Sequence, residues 1–166
     1  ILGFSIFGRN HTYALNDDGS INYKAINNFL KNNFKEKKFI FGFTSKIYEI
    51  LIKKLEIKKL KYQFENSFIL HGGGWKKLEN MNISNNNFKE LIKKKFKILD
   101  IRNYYGLVEQ TGSIFFECRD NNHFHCSNYS EIFIRNKNLE IISNCSPGIV
   151  QLLSVLPTSY PGHNIL

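Results

Sequence analysis

The sequence predicts an α/β fold: a mostly parallel sheet with flanking helices, followed by an antiparallel β segment. Up to about residue 112, apolar strand-like runs alternate with segments whose apolar residues recur at helical spacing, a pattern typical of parallel βαβ units. Beyond that point, short strand-like runs are separated by polar turns. We therefore expect an α/β subdomain over residues 1–112. A β-rich segment over residues 113–166 is expected to belong to the same large domain and to be truncated at its C-terminus.

The elements of the α/β subdomain follow from apolar runs and periodicity. Ile21–Phe34 has the apolar spacing of an amphipathic helix, and Lys38–Phe43 is a continuous apolar run typical of a buried strand. Thr44 or Ser45 is expected to cap the next helix, because a short hydroxyl side chain can accept from the first free amides. The other predicted elements are apolar runs at Leu2–Phe7 and Thr12–Leu15, strands at Phe68–Leu70 and Lys97–Ile101, and a helix at Asn87–Phe96.

The β-rich segment is predicted from four short runs that alternate or are continuously apolar. Polar turns lie between them, and none has the length of a typical helix. The predicted strands are Ser113–Glu117, Glu131–Arg135, Leu139–Ile142 and Ile149–Val155.

Composition places the chain among globular proteins. It has 166 residues, of which 42% are hydrophobic and 14% aromatic, enough for one domain with a substantial core. The three cysteines, an odd number, disfavour a disulfide framework and favour the reducing cytoplasm. No apolar run is long enough to span a bilayer, so no membrane span is expected. Because the chain begins at Ile1 rather than methionine, we expect it to be a fragment of a longer protein.

The formal net charge of +9 permits two interpretations. A basic surface can bind an anionic partner, such as nucleic acid, an acidic protein or a phosphorylated cofactor. Alternatively, the lysines solvate the polar faces and ends of helices. The lysine clusters are scattered along the chain rather than gathered in one arm, which favours the second interpretation, so nucleic acid is not expected as a partner.

The first candidate site is the run Gly72, Gly73 and Gly74 after the predicted strand at Phe68–Leu70. Ligands in open α/β sheets bind at the carboxyl ends of the strands. A run of glycines leaves backbone amides bare, so that they can contact a nucleotide or a carboxyl group. A flexible turn has the same composition, and both interpretations stay open.

The second candidate site is the run from Tyr104 to Gln110, predicted as a loop after the strand at Lys97–Ile101. Tyrosine rings offer a flat face for an adenine, and Gly106 allows a ligand to approach the backbone. Glu109 is a hard oxygen ligand suited to Mg²⁺, and Gln110 is a further candidate for cofactor binding. A Tyr-Tyr-Gly turn that ends a core strand has a similar sequence. Neither a Walker A loop nor a Gly-x-Gly-x-x-Gly fingerprint is present.

A third candidate is a zinc cluster of two cysteines and two histidines. Zinc accepts thiolate and imidazole ligands, but the spacing matches no standard finger or ribbon. A cysteine at the end of a strand with histidines in the following turn also occurs by chance. The four residues are Cys118, His123, His125 and Cys126.

Four stretches occur in an order that resembles one family and together span most of the chain: Phe39–Thr44, Leu70–Lys77, Tyr105–Gln110 with Gly112–Ile114, and Leu152–Leu166. They resemble the adenylate-forming enzymes. Within that superfamily they are most similar to the bacterial acyl-protein synthetases, also called long-chain-fatty-acid–luciferin-component ligases. The Gly-Gly-Gly-Trp run and the Pro-Thr-Ser-Tyr-Pro-Gly-His segment carry most of the specificity.

The resemblance implies an AMP-forming acyl ligase that uses ATP and Mg²⁺. A carboxylic acid, expected to be a fatty acid, would form an acyl-adenylate and pyrophosphate. The acyl group would then pass to a thiol of coenzyme A, a carrier protein or an enzyme cysteine. By the resemblance, Tyr105 and Gly106 border the adenine, Glu109 holds Mg²⁺, and Gly72–Gly74 line the adenylate and acyl pocket of the large domain.

The chain also departs from the family pattern. Val108 stands where the wider superfamily usually has threonine. The phosphate-binding loop, the ribose-binding aspartate and the C-terminal domain with the catalytic lysine are not in this sequence, so the fragment alone is expected to be inactive. Two other functions stay open: a non-catalytic interaction module with a basic surface, and a zinc-stabilised structural domain.

Overall fold

The computed structural model describes residues 6, 8–33, 35–55, 64–74, 82–107, 110, 113–143, 146–156 and the backbone of 162–165. Contacts divide the chain into two compact units, Ile1–Ile101 and Arg102–Leu166. The division predicted after residue 112 concerns binding subdomains and stays a prediction. The apolar run predicted at Leu2–Phe7 falls almost wholly outside the described residues.

The first unit alternates helices and strands. Its elements are α1 (Tyr23–Asn32), β1 (Lys38–Phe43), α2 (Thr44–Ile47) continued by a π-helical segment (Tyr48–Lys54), β2 (Ser67–Gly72) and α3 (Asn85–Phe96). The strands β1 and β2 are parallel, in a register that runs from Lys38 opposite Ser67 to Phe43 opposite Gly72. Each residue of β1 is therefore matched to one of β2, and both strands end at the same edge of the sheet.

Local hydrogen bonds explain where two of these helices begin. The Asn22 side chain accepts from the Ala25 amide at 2.9 Å before α1, and Ser84 Oγ accepts from the Asn87 amide at 3.1 Å before α3. Both are side-chain caps that satisfy amides left free by the helix. The amide of Lys97, in the left-handed conformation at φ 57°, ends α3 by donating to the Lys93 carbonyl.

The core of the first unit combines the inner faces of the helices with the strands. Phe88, Ile92 and Phe96 recur every four residues on α3, and all three are fully buried. Phe96 packs edge-on against Phe64, with ring centroids 5.1 Å apart. The same cluster includes Ile26 and Leu30 of α1, Ile47 of α2, Tyr48, Ile50 and Leu51 of the π-helical segment, Leu55, Ile69 of β2, Ile98, and Ile101 of β3.

The second half of the chain is built from strands: β3 (Asp100–Gly106), β4 (Ile114–Glu117), β5 (Phe124–His125), β6 (Ser130–Arg135), β7 (Ile141–Ile142), β8 (Ile149–Ser154) and β9 (Gly162–Ile165). One sheet has the strand order β1-β2-β3-β4-β5, and β3, β4 and β5 pair antiparallel. A second sheet, antiparallel throughout, has the order β7-β6-β8-β9. Among the described residues, no helix is long and apolar enough to cross a membrane.

The predicted fold class is confirmed: helices flank a sheet with parallel strands, and an antiparallel β segment follows. Several boundaries differ from the prediction, and two of these differences concern the candidate sites. Residues 104–106, predicted as a loop, continue β3, because their antiparallel partner β4 completes their hydrogen bonding. The strand β5, predicted as a turn, pairs Phe124 with Glu117 and His125 with Phe116.

Candidate functional site

The glycine run begins at the carboxyl end of β2, as predicted. Gly72 is the last residue of that strand and lies opposite Phe43, the last residue of β1. Gly73 follows with φ +73°, a conformation that residues with a Cβ rarely adopt. A Cβ added to Gly73 would lie 3.1 Å from Phe43 Cδ1, whereas one added to Gly74 would meet no atom of the described residues within 4 Å. Gly73 is therefore needed for the turn itself, and Gly74 is uncrowded by the part of the chain that the structure describes.

This difference predicts different responses to alanine. We expect Gly73→Ala to lower the free energy of unfolding by about 1–2 kcal/mol, because the left-handed conformation disfavours a Cβ. Gly74→Ala should change it by less than about 0.5 kcal/mol, as is usual for substitutions without a contact. Urea unfolding of the two variants side by side measures the effect. Equal stability of the two variants would contradict the account of this turn.

A buried side-chain pair lies beside the glycine run. Thr44 Oγ1 lies 2.9 Å from His71 Nδ1, and it donates to the Gly72 carbonyl at 3.2 Å. The predicted role of Thr44 as a helix cap is wrong: Thr44 is the first residue of α2, and Phe43 precedes it without a side-chain cap. The Thr44 hydroxyl instead bonds to Gly72 of the neighbouring strand, because parallel pairing places Gly72 next to the end of β1.

The tyrosines of the second candidate site lie on β3. Tyr104 pairs with Phe116 and Tyr105 with Phe115 on β4. Tyr105 is 38% exposed, and its ring lies 6.2 Å from that of Phe115 and 6.4 Å from that of Phe124. Burial raises the pKa of the half-buried Tyr104. The strand thus presents one partly exposed aromatic ring, steadied by two others.

Gly106 is the last residue of β3, and the described atoms around its Cα are not crowded. A Cβ built on it would lie 3.6 Å from the Ser113 carbonyl oxygen and 3.9 Å from Ile114 Cγ1, which are ordinary contact distances. The described part of the chain therefore accepts a methyl group here.

Gln110 is buried, and its Nε2 donates to the Leu152 carbonyl of β8 at 2.9 Å. Its amide donates to Leu107 O, and its own carbonyl accepts from the Ser113 amide. The segment between β3 and β4 is therefore anchored at Gln110, and the cofactor contact predicted for that residue stays a prediction. Val108 and Glu109 lie outside the described residues.

The sequence interpretation missed a second anchor in this region. Glu117 is buried at 1% exposure, and its carboxylate accepts from the Asn103 amide at 2.6 Å. The signal was present: Glu117 stands two positions after Phe115, on the same side of β4. A carboxylate on the buried side of a strand indicates a specific partner, because burying it alone is costly.

A run of hydrogen-bonded hydroxyls, two buried and one half-buried, continues from this region to the second sheet. Ser113 Oγ donates to Ser154 Oγ at 2.9 Å and accepts from Ser130 Oγ at 3.1 Å. Ser130 and Ser154 are directly opposite each other on β6 and β8. Together with Gln110, these hydroxyls fix the chain on the C-terminal side of the second candidate site.

The structure does not support the predicted zinc cluster. The Asp120 amide and the His125 ring lower the pKa of the Cys118 thiol, so these groups are close together. Cys126, however, donates to the Ser130 carbonyl at 2.7 Å, and His123 contributes its backbone to the hairpin. Within the described residues, no group of three or more metal-ligating side chains is found.

Comparison with protein families decides the assignment of the chain. The model of the acyl-protein synthetase family LuxE matches residues 2–166. The chain belongs to the LuxE family. The family resemblance expected from the four sequence stretches is thereby confirmed. No curated protein sequence matches this LuxE chain.

Solved structures confirm the adenylate-forming fold of the LuxE chain. ATP-bound MatB from Rhodopseudomonas palustris is 8% identical at a TM-score of 0.57, covering 80% of this chain and 25% of its own. The amide bond synthetase McbA from Marinactinospora thermotolerans is 12% identical at a TM-score of 0.56, covering 85% and 27%. The luciferase-like enzyme from the nonluminescent mealworm Zophobas morio is 18% identical at a TM-score of 0.52, covering 77% and 30%. The LuxE chain thus spans between a quarter and a third of these proteins.

Proposed function

We propose that the LuxE chain is the central region of an ATP-dependent acyl-activating ligase. In the first step, a carboxylate oxygen of a fatty acid attacks the α-phosphorus of ATP, and pyrophosphate leaves. In the second step, a thiolate attacks the acyl carbon, and AMP leaves with the oxygen that came from the acid. The family match over residues 2–166 is the observation that carries this proposal. The ATP named for the MatB structure supports the choice of nucleotide.

The geometry around Tyr105 fits a nucleotide base. Its ring is partly exposed yet held by Phe115 and Phe124, which suits it to stack on a flat ligand. Gly106 beside it has room for a methyl group, which is room for close approach of a ligand. We assign these two residues to the adenine, and Gly72–Gly74 to the adenylate and acyl group.

Glu109 is assigned to Mg²⁺, because a carboxylate with substrate phosphates is the usual ligand set of that ion. Mg²⁺, when bound, neutralises phosphate charge during the attack on phosphorus. The neighbouring Gln110 donates to the Leu152 carbonyl. In this proposal Gln110 acts by anchoring the segment. The thiol acceptor is coenzyme A, a carrier protein or a cysteine of the enzyme, and the isolated 166-residue chain is inactive.

A single methyl group at Gly106 tests the adenine assignment. We expect Gly106→Ala in the intact protein to weaken ATP binding about tenfold, because the methyl occupies space that the base requires. The free energy of unfolding should stay within about 0.5 kcal/mol of the parent, since the contacts are ordinary. Calorimetric titration with ATP and Mg²⁺ measures the affinity. Gly8→Ala is the control. Its added Cβ would lie 3.8 Å from His11 Cε1, an ordinary contact distance, and Gly8 is remote in sequence from the Tyr105–Gly106 site. Unchanged ATP affinity in Gly106→Ala would contradict the assignment.

The proposal as a whole is tested by pyrophosphate release from the intact protein with ATP, Mg²⁺ and a panel of carboxylic acids. Release that depends on the acid supports the ligase, and the chain length that reacts fastest names the substrate. Absence of release with every acid, from folded protein, would instead favour a non-catalytic interaction module.

A further inference from the structure

The hydroxyl of Thr44 has one proton and two polar neighbours, and the direction of that proton is linked to the tautomer of His71. The Gly72 carbonyl oxygen can only accept, and Thr44 Oγ1 lies within donating distance of it at 3.2 Å. When the hydroxyl donates to Gly72, His71 Nδ1, which lies 2.9 Å from Thr44 Oγ1, is the donor in the bond between the two side chains. That arrangement corresponds to the neutral tautomer of His71 with its proton on Nδ1.

Packing holds this pair in place. Thr44 is 5% exposed and His71 is 1% exposed, so water does not compete for their hydrogen bonds. The His71 ring packs edge-on against Phe88, with centroids 4.7 Å apart. Phe88 in turn is fully buried in the core of the first unit. The orientation of the imidazole is thus set by α3, and the orientation of the hydroxyl by the start of α2.

The bond from Thr44 to Gly72 restricts the backbone of the glycine run Gly72–Gly74. A sequence of three glycines has few conformational restrictions of its own. Here the Gly72 carbonyl is held by Thr44, and Gly73 turns against the ring of Phe43. The backbone at Gly72 and Gly73 is therefore held by two side chains, Phe43 at the end of β1 and Thr44 at the start of α2.

We infer that Thr44 and His71 are positioning residues of the ligase, which hold the Gly72–Gly74 backbone in the conformation that receives the carboxylic acid. Neither residue contacts substrate in this account, and each acts through the Gly72 carbonyl. The expected effect on the KM for the acid rests on the proposed function. The hydrogen bonds among Thr44, His71 and Gly72 do not depend on it. Small misplacements of binding groups have large kinetic effects, because the reacting atoms must be aligned.

Two substitutions at Thr44 separate positioning from simple packing in the intact protein. Thr44→Val keeps the shape and removes the hydroxyl, whereas Thr44→Ser keeps the hydroxyl and removes the methyl group. We expect Thr44→Val to raise the KM for the carboxylic acid about tenfold, with kcat and the KM for ATP changed by less than about threefold. Thr44→Ser should keep the parent KM even if it unfolds at a lower temperature. His71→Asn, whose amide can donate from the place of Nδ1, should retain more activity than His71→Phe.

The protonation state provides a test that does not require activity. Nitrogen-15 spectra of histidine-labelled intact protein, with His71→Asn used for assignment, should show His71 protonated at Nδ1. The same experiment on Thr44→Val should show a changed His71 signal. A neutral His71 protonated at Nε2, or a Thr44→Ser variant that matches Thr44→Val in KM, would overturn the positioning role. An inactive parent protein with the expected His71 spectrum would refute the ligase and leave the hydrogen-bonded pair established.

Discussion

Glu109→Ala in the intact protein should lower acid-dependent pyrophosphate release about a hundredfold or more. The carboxylate is assigned to Mg²⁺, and stabilisation of phosphate charge by a bound cation contributes several kcal/mol to a transition state. Each 1.4 kcal/mol or so corresponds to about a factor of ten in rate, so the loss of the ligand has a large effect. Initial rates of pyrophosphate release at saturating ATP measure it. Glu109→Asp, which keeps a carboxylate at a shorter reach, should regain part of the rate at raised Mg²⁺.

Glu90→Ala is a suitable control for this experiment. Glu90 lies on α3, its side chain is 71% exposed, and it forms a surface ion pair with Lys93. Such pairs contribute about 0–1 kcal/mol, so the variant should fold and react like the parent. If Glu109→Ala reacted within about threefold of the parent at every Mg²⁺ concentration, the metal role of Glu109 would be refuted.

Gly148→Ala should be the most destabilising glycine substitution in the described part of the chain. A Cβ at this position would lie 2.5 Å from the Arg135 carbonyl oxygen, 2.7 Å from Ile134 Cγ2 and 3.2 Å from Ile142 Cδ1. The first of these atoms belongs to the backbone of β6, so the strand itself has to move. Overpacking of this kind costs about 1–3 kcal/mol, and we expect the upper end of that range. Equilibrium urea unfolding measures the loss.

The matched control for Gly148→Ala is Gly106→Ala, where an added methyl group meets only ordinary contacts. Both glycines lie in the second unit, so the same urea unfolding transition measures the stability change in both variants. A Gly148→Ala variant as stable as Gly106→Ala would show that β6 and the turn before β8 lie further apart than described.

Local sequence patterns predicted the helices and strands that have a clear hydrophobic period of their own. The continuous apolar run Lys38–Phe43 coincides with β1, and the periodic runs coincide with α1 and α3 to within two residues at either end. These segments have an unambiguous period and clear caps, so tertiary contacts reinforce what the local residues already favour. The strand β5 has only two residues and no period, and it exists because β4 pairs with it.

The sequence predicted where the candidate sites lie along the chain, but it did not predict the hydrogen bonds that join them to distant residues. Glycines and aromatic residues at the ends of strands indicate ligand binding, and the structure places Gly72 and Tyr105 at or near such ends. The bond from Thr44 to His71 joins residues 27 positions apart, and that from Gln110 to Leu152 joins residues 42 apart. Which polar groups meet depends on strand register, which no local spacing specifies. The zinc prediction is not supported either, because the described residues hold no group of three or more metal-ligating side chains.

Transfer of oxygen from the acid to AMP tests the central claim most directly. The intact protein is incubated with ATP, Mg²⁺, a thiol acceptor and a fatty acid labelled with oxygen-18 in its carboxyl group, and the AMP is analysed by mass spectrometry. An acyl-adenylate intermediate predicts one labelled oxygen in each AMP, because thiolysis breaks the bond between the acyl carbon and that oxygen. AMP formed without label, or no AMP from folded protein with any acid, would contradict the assignment of this LuxE chain to an adenylating ligase.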